Sequence, residues 1–320
     1  MSAPPSPRVS VAVPLYNEEA GVAELLRRVG DVLGAVPGGP HEIVVVDDGS
    51  TDRTLTLLEA AAARDHRLVV ISLSRNFGHQ AALTAALDHV TGDVTILMDG
   101  DLQDPPELIP AFLERYARGY DVVYAQRTHR KEAWWLRASY YVFYRMLRRL
   151  SSVAVPVDAG DFGLLSRRVV EQLRLAPERQ RFLRGLRSWV GFRQVGIPVE
   201  RQERPTGHSK YSLRRLLGLA FDGIFAFSIV PIRAAALLGA AAVALSGVFA
   251  LYALYAKFAL QRSPQGFTSL ILVITFLSGV NLFFLGVVGE YVGRVYEEVK
   301  RRPLYVVGRI IRGSSGGPSG

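Results

Sequence analysis

"RLVVISLSRNFGHQAALTAALDHVTGDVTILMDGDLQD", residues 67–104, runs from a Val- and Ile-rich stretch through a helical pattern into a second apolar stretch. Strands buried on both faces show no polar alternation, so strand, helix, strand with two such runs is the pattern of a covered parallel sheet. The alternation extends both ways. Upstream, "VSVAVPLYN" precedes "EEAGVAELLRRVGDVL", and "HEIVVVDDGS" precedes "TDRTLTLLEAAAARD"; downstream come "PPELIPAFLERYARG" and "YDVVYAQR". From Val9 to Arg127 this predicts right-handed crossovers and a doubly wound α/β domain with a mostly parallel sheet.

Ligands of open α/β sheets bind beyond the carboxyl ends of the strands. Those ends are polar here: "PLYNEE", "DDGSTD", "SRNFGHQ" and "DGDLQD". Asp99 and Asp101, one residue apart, repel each other unless a hard cation lies between them. Mg²⁺ or Mn²⁺, held by one or two carboxylates and by substrate phosphates, meets that need, with Gln103 as a further oxygen donor. Gly100 leaves room for a nucleotide to approach. Asp104 stands just before "PPEL", where proline favours a first helical turn, and reads as a helix cap rather than a third ligand. Neither a Walker A sequence nor the G-x-G-x-x-G fingerprint is present, so phosphates must be handled by metal and basic side chains. Taken singly, these residues also have plain structural roles: a packed strand-end aromatic for Tyr16, an N-cap pair for Asp47 and Asp48.

"VAVPLYNEE", "VVVDDGSTDRT", "LSRNFGHQAAL", "MDGDLQDPPEL", "VYAQR", "DAGDFGLLSRR", "ERQRFLRGLRSWVGF" and "RPTGHSKYSLRRL" follow one another in this order. In these motifs the chain resembles the inverting family-two glycosyltransferases. It is similar in particular to their polyprenyl-phosphate branch, which holds the dolichol-phosphate mannose synthases and bactoprenol glucosyltransferases. The resemblance covers nearly the whole chain and implies a GT-A type nucleotide-sugar-binding domain. It implies that Pro14, Tyr16, Glu18, Asp47, Asp48, Gly100, Arg204 and Lys210 bind the nucleotide sugar, and that Asp99, Asp101 and Gln103 hold the metal. Asp99, Asp101, Arg127, Asp158 and Asp161 form the implied catalytic set, one of the last two aspartates orienting the acceptor or an arginine. Arg137 and Ser139 fall at the implied acceptor-phosphate position. One departure is Gly163, where the family often carries a basic residue; either Arg167 or Arg168 compensates, or the chain treats its acceptor differently.

With 320 residues, 49% of them hydrophobic, the chain is rich for a purely soluble enzyme. The surplus lies in residues 234–256 and 267–289, each a run of 23 without a charge. At 1.5 Å per residue each spans roughly 34 Å, enough to cross a hydrocarbon core of about 30 Å. Lys210, Arg214, Arg215 and Arg233 precede the pair and Arg294, Lys300, Arg301, Arg302, Arg309 and Arg312 follow it, whereas the loop between holds only Lys257 and Arg262. The positive-inside rule therefore puts both flanks in the cytoplasm. The expected organisation is a cytoplasmic catalytic domain over residues 1–212, an interfacial amphipathic helix over 213–230, two transmembrane helices within 231–290, and a basic cytoplasmic tail over 291–320 that ends disordered. The aromatic stretch Trp134 to Tyr144 is a second candidate for the lipid-facing floor. A net charge of +9 concentrated beside membrane spans fits anionic lipid headgroups rather than nucleic acid. Without a cysteine the chain has neither disulfides nor thiolate metal sites. Homo-oligomers are open to a two-helix hairpin, which can bury its faces against a second copy or against lipid.

A lipid monophosphate, with a second pKa of about 6, is mostly dianionic at neutral pH and attacks without a general base. The expected reaction is one in-line displacement at the anomeric carbon, with inversion and no covalent intermediate, giving a polyprenyl-phosphate sugar for envelope glycans. UDP-glucose is preferred over GDP-mannose on the likeness to the bactoprenol enzymes. A processive polysaccharide synthase is the alternative enzyme, although "ERQRFLRGLRSW" lacks Q-x-x-R-W spacing and only two spans are present. A membrane scaffold is the non-enzymatic alternative.

Overall fold

The computed structural model describes residues 6–127, 159–176, 178, 181–199, 230–259 and 266–313. The expectations for Arg137, Ser139, Asp158, Arg204, Lys210, the Trp134–Tyr144 stretch and the interfacial helix up to residue 229 lie outside them. By contacts the chain forms an α/β unit, to which the residues from Arg302 onward return, and a helical unit inserted before that return.

In the α/β unit the elements are β1 (Val9–Leu15), α1 (Val22–Ala35), β2 (Glu42–Asp47), α2 (Thr54–Ala62), β3 (Leu68–Leu73), α3 (His79–His89), β4 (Val94–Leu97), a 3₁₀ turn (Pro106–Leu108), α4 (Ile109–Ala117) and β5 (Val122–Arg127). These match the predicted alternation. After them come β6 (Ala159–Ser166), α5 (Arg167–Leu175), α6 (Leu183–Trp189), β7 (Gln194–Val199) and, past the helical unit, β8 (Val307–Arg312). One eight-stranded sheet results, ordered β7-β5-β6-β4-β1-β2-β3-β8.

The strands β4, β1, β2 and β3 are parallel neighbours, as is the pair β5 and β7. Two strands break the parallel pattern. β6 runs antiparallel between β4 and β5, and β8 runs antiparallel along β3. The residues expected as a basic tail thus supply an edge strand, and the α/β unit reaches beyond residue 212. Gly313 N donates to Leu68 O at 2.9 Å, Tyr305 Oη donates to Asp88 Oδ2 at 2.7 Å, and Arg309 pairs with Glu59.

Both faces of the sheet are apolar because successive residues point to opposite sides. Val9, Val11, Val13, Ile43, Val45 and Ile96 meet α1, α2 and α4 on one side. Ala12, Val44, Val46, Ile71 and Leu97 meet α3, α5 and α6 on the other. Val22, Leu25, Val29 and Leu33 recur at helical spacing and form the buried stripe of α1. Phe112 of α4 stacks edge-on against Phe162 of β6, centroids 5.0 Å apart.

In the helical unit, α7 (Val230–Phe258) and α8 (Phe267–Val299) contain the stretches expected at 234–256 and 267–289. Among the described residues, Phe276–Val299 is long and apolar enough to cross a membrane.

Gly163 has a steric reason. It pairs with Leu97 of β4 and Tyr124 of β5, and a Cβ there runs into Val123 O and comes within 2.9 Å of Tyr124 Cα. Gly163→Ala is expected to destabilise the α/β unit by roughly 2 kcal/mol, the cost of overpacking a tight site. A fall in thermal midpoint relative to wild type checks this, and an unchanged midpoint contradicts the crowding.

Candidate active site

The parallel order brings the carboxyl ends of β1, β2, β3 and β4 to one edge, and their loops are tied together there. Asn17, at φ 54°, donates from N to Ser50 Oγ and accepts at Oδ1 from Thr51 N at 2.8 Å. Glu18 N donates to Thr54 Oγ1, and Glu19 N to Asp52 Oδ2. These bonds fasten the β1 loop, with Pro14, Tyr16 and Glu18, onto the β2 loop with Asp47. Tyr16 is 46% exposed, so it is not the packed aromatic of the plain structural reading.

Asp47 and Asp48 are both buried but differ in what they hold. Asp48 accepts at Oδ1 from Phe77 N at 2.7 Å and at Oδ2 from Gly78 N at 2.9 Å, so it clamps the loop that opens α3. Asp47 Oδ1 accepts from Ser50 N, while Oδ2 has no hydrogen-bond partner among the described residues. Burial raises the Asp47 carboxyl above its ordinary pKa, partly offset by the Ser50 bonds. Neither is an N-cap, because α2 starts at Thr54. Gly49, at φ 68°, lies where a Cβ would come 2.5 Å from the Arg75 carbonyl carbon, which fixes glycine at that crossing.

After β4 the chain turns sharply. Leu102 adopts φ 56°, an uncommon region for a branched residue, and Gln103 N donates to Asp101 Oδ1 at 3.2 Å. At Gly100 a Cβ would press on the Leu15 side chain of β1 and come 3.3 Å from Pro14 O, so the turn packs closely on the end of β1. Asp104 is not the cap of the following turn: the cap position is Pro105, without a side-chain bond. Arg127 ends β5 beside Val199.

Asp161 of β6 reaches this edge. Arg184 of α6 holds it side-on, Nε to Oδ1 and Nη2 to Oδ2, each 2.8 Å. His79, the first residue of α3, has Nε2 3.5 Å from Asp99 Oδ1 and 3.9 Å from Asp161 Oδ2. Gln80 Oε1 accepts from Leu183 N at 3.1 Å, joining the starts of α3 and α6. Arg187, 3% exposed, donates from Nη1 to Gly160 O and stands 5.0 Å from the Tyr124 ring. Burial acts to raise the Asp161 pKa, but the Arg184 fork and the charges of Arg184, His79 and Arg187 outweigh it, leaving the carboxyl below its usual range. Burial pulls the Arg187 guanidinium down to about 10, against the opposing pull of Asp161.

Arg167 and Arg168 do not compensate for Gly163. Arg168 forks onto Asp121 at 2.5 Å and Arg167 pairs with Glu171, both at the opposite end of β6. The cations near Asp161 are Arg184 and Arg187, which had no role in the reading of the sequence, and His79 is a third addition. Their signal was the i, i+3 spacing of arginines in "FLRGLRSW" between leucines that face the core.

The donor set fits a divalent cation of the substrate-sharing kind. Asp99, Asp101 and Gln103 lie within one tight turn, a set of oxygen donors that leaves coordination places for substrate phosphates. No cluster of three or more His, Cys, Asp or Glu placed to hold a metal occurs among the described residues.

The strand ends thus gather paired carboxylates, the buried Arg187 and the half-buried Arg184 at one edge, where open α/β sheets bind their ligands. The sequence profile of Glycosyl transferase family 2 matches residues 10–174, and the chain belongs to that family. The chain is 41% identical over 302 residues to the uncharacterized glycosyltransferase YkcC of Bacillus subtilis, covering 93% of this chain and 92% of the relative. It is 38% identical over 308 residues to the SfII prophage-derived bactoprenol glucosyl transferase of Shigella flexneri, covering 96% and 99%. It is 35% identical over 316 residues to the undecaprenyl-phosphate 4-deoxy-4-formamido-L-arabinose transferase of Klebsiella pneumoniae, covering 97% and 95%.

Asp161→Asn keeps the side chain's shape but removes the charge that pairs with Arg184 and faces the buried Arg187, at an expected cost of roughly 3 kcal/mol. Since the folded pKa of Asp161 is depressed, its stabilisation is present above about pH 4, the ordinary carboxylate value, and is lost as pH falls through the folded value. The wild type should lose more stability than Asp161→Asn between neutral pH and pH 3. Parallel acid limbs in the two unfolding profiles contradict this.

Proposed function

We propose that the chain transfers a single sugar from a nucleotide sugar to a polyprenyl monophosphate, with inversion, at the cytoplasmic face of a membrane. The observation that carries this reading is the turn holding Asp99 and Asp101 in a family-two frame, in a chain similar over nearly its full length to transferases named for bactoprenol and undecaprenyl phosphate. UDP-glucose as donor rests on the likeness to the bactoprenol glucosyl transferases; GDP-mannose or another sugar is the alternative.

In this reading Pro14, Tyr16, Glu18 and Asp47 line the nucleoside pocket, with Asp48 as the clamp that shapes it. Asp47 has a buried oxygen available to a base N–H. Asp99, Asp101 and Gln103 would hold Mg²⁺ or Mn²⁺, which when bound neutralises diphosphate charge and supports the leaving group. Arg127, Arg204 and Lys210 serve the phosphates, while Arg137, Ser139 and Asp158 belong to the acceptor side. A phosphate oxygen bonds to the anomeric carbon as the bond from that carbon to the diphosphate breaks. The nucleoside diphosphate leaves with the electron pair. Because the acceptor is already a dianion, the chain needs no base to take a proton; it must align two anions and neutralise their repulsion.

The helical unit suits the acceptor. A polyprenyl chain stays in the bilayer with its phosphate at the surface, and two spans near residues 234–256 and 267–289, with both termini cytoplasmic, keep the catalytic unit within reach of that plane.

Membranes containing the chain, incubated with polyprenyl phosphate, Mg²⁺ or Mn²⁺ and a panel of nucleotide sugars, should yield a lipid carrying one sugar. Asp101→Asn should lower turnover by about 10²- to 10³-fold, the scale of losing a main stabiliser of developing charge. A polymeric product would point to a processive synthase. Full turnover by Asp101→Asn, or full activity in a washed soluble fraction, contradicts the site or the anchor respectively.

A further inference from the structure

Arg184 and Arg187 stand three residues apart on α6, hence on one face, and share a single buried carboxylate, Asp161. Arg184 spends its side-on edge, Nε and Nη2, on that carboxylate. Arg168 on Asp121 and Arg28 on Glu107 use the same edge in the same way. Arg187 is different. Nη1 donates to Gly160 O at 3.2 Å, but Nε and Nη2, the same edge, have no hydrogen-bond partner among the described residues although the side chain is 3% exposed.

The fork of Asp161 is taken by Arg184, so the buried Arg187 has no carboxylate bonded to it. An unpaired side-on fork has the spacing of an anion with two adjacent oxygens, a carboxylate or a phosphate. The cluster borders the catalytic turn, since His79 bridges the short distance from Asp161 to Asp99. In a chain whose proposed substrates both carry phosphates, the group that meets this fork is a phosphate.

We propose that the unpaired fork of Arg187, with Arg184 beside it, is a phosphate seat at the edge of the catalytic turn, taking an oxyanion of one of the two substrates. Asp161 has the complementary task of holding Arg184 in place. The choice of phosphate rests on the transferase reading; the existence of an anion seat does not.

The test uses the full chain in detergent without divalent cations, so that metal-bound phosphate does not contribute. Its thermal midpoint is titrated with inorganic phosphate against chloride at matched ionic strength. Phosphate should raise the wild-type midpoint. Arg187→Lys, which keeps the charge but loses the fork, should need about tenfold more phosphate for half the effect. If Arg187→Lys fails to fold, Arg187→Gln, which also lacks the side-on fork, takes its place with the same expectation.

Parallel titrations with UDP-glucose and with polyprenyl phosphate in micelles identify the source: a tenfold weakening confined to one names the substrate whose phosphate the seat holds. Equal curves for wild type and variant with all three probes overturn the proposal. So does a wild type that phosphate does not stabilise, or an Arg187→Lys chain that only loses stability, since the fork then serves another group of the chain. These are binding readouts, so a wild type that binds phosphate but moves no sugar to lipid would leave the seat standing and overturn the transferase reading instead.

Discussion

The site depends on the apolar character of four parallel strands. Val, Ile, Leu and Ala fill both faces of β4, β1, β2 and β3, which leaves almost no place for polar side chains except beyond the strand ends. Parallel register puts all four carboxyl ends on one edge, so the polar residues excluded from the sheet collect there. Once collected, their bonds are local and mutual. Asn17 reaches across to Thr51, Asp48 to Phe77 and Gly78, and Gln80 to Leu183, so that each loop is shaped by the next.

That frame was legible in the sequence as far as Arg127, because buried parallel strands and amphipathic helices have distinct periods and α1, α2 and α4 obey them. Past that point the cues weaken. β6 carries two glycines and an aspartate, "AGDFGLLS", and shows neither clean alternation nor a continuous apolar run. Its antiparallel insertion beside β4 depends on Gly163 fitting under the backbone of β5, a steric fact with no one-dimensional trace. β8, "VGRIIR", is short and basic and pairs with a strand more than two hundred positions away, so its composition read as tail.

The catalytic turn was legible for a different reason. Two carboxylates one residue apart after a buried strand create an electrostatic problem that is visible without coordinates. The buried cations were not visible in the same way. An arginine in a helix is ordinarily solvated, and only the packing of α6 against β6 turns Arg184 and Arg187 inward onto Asp161 and Gly160. Gly100 shows a contact of the same kind: its closeness to the Leu15 side chain of a neighbouring strand has no trace in the sequence.

Strand β8 also bears on the order in which the molecule is made. Synthesis delivers β3 early and its edge partner last, after both long helices have left the ribosome. Until then the N–H and C=O groups along the open side of β3 have no strand to bind, a state prone to wrong pairing. The helices must emerge before the sheet can be finished, so the α/β unit is completed only after the helical unit has been made. A chain interrupted anywhere before Val307 would then expose an unfinished edge, marking it for quality control.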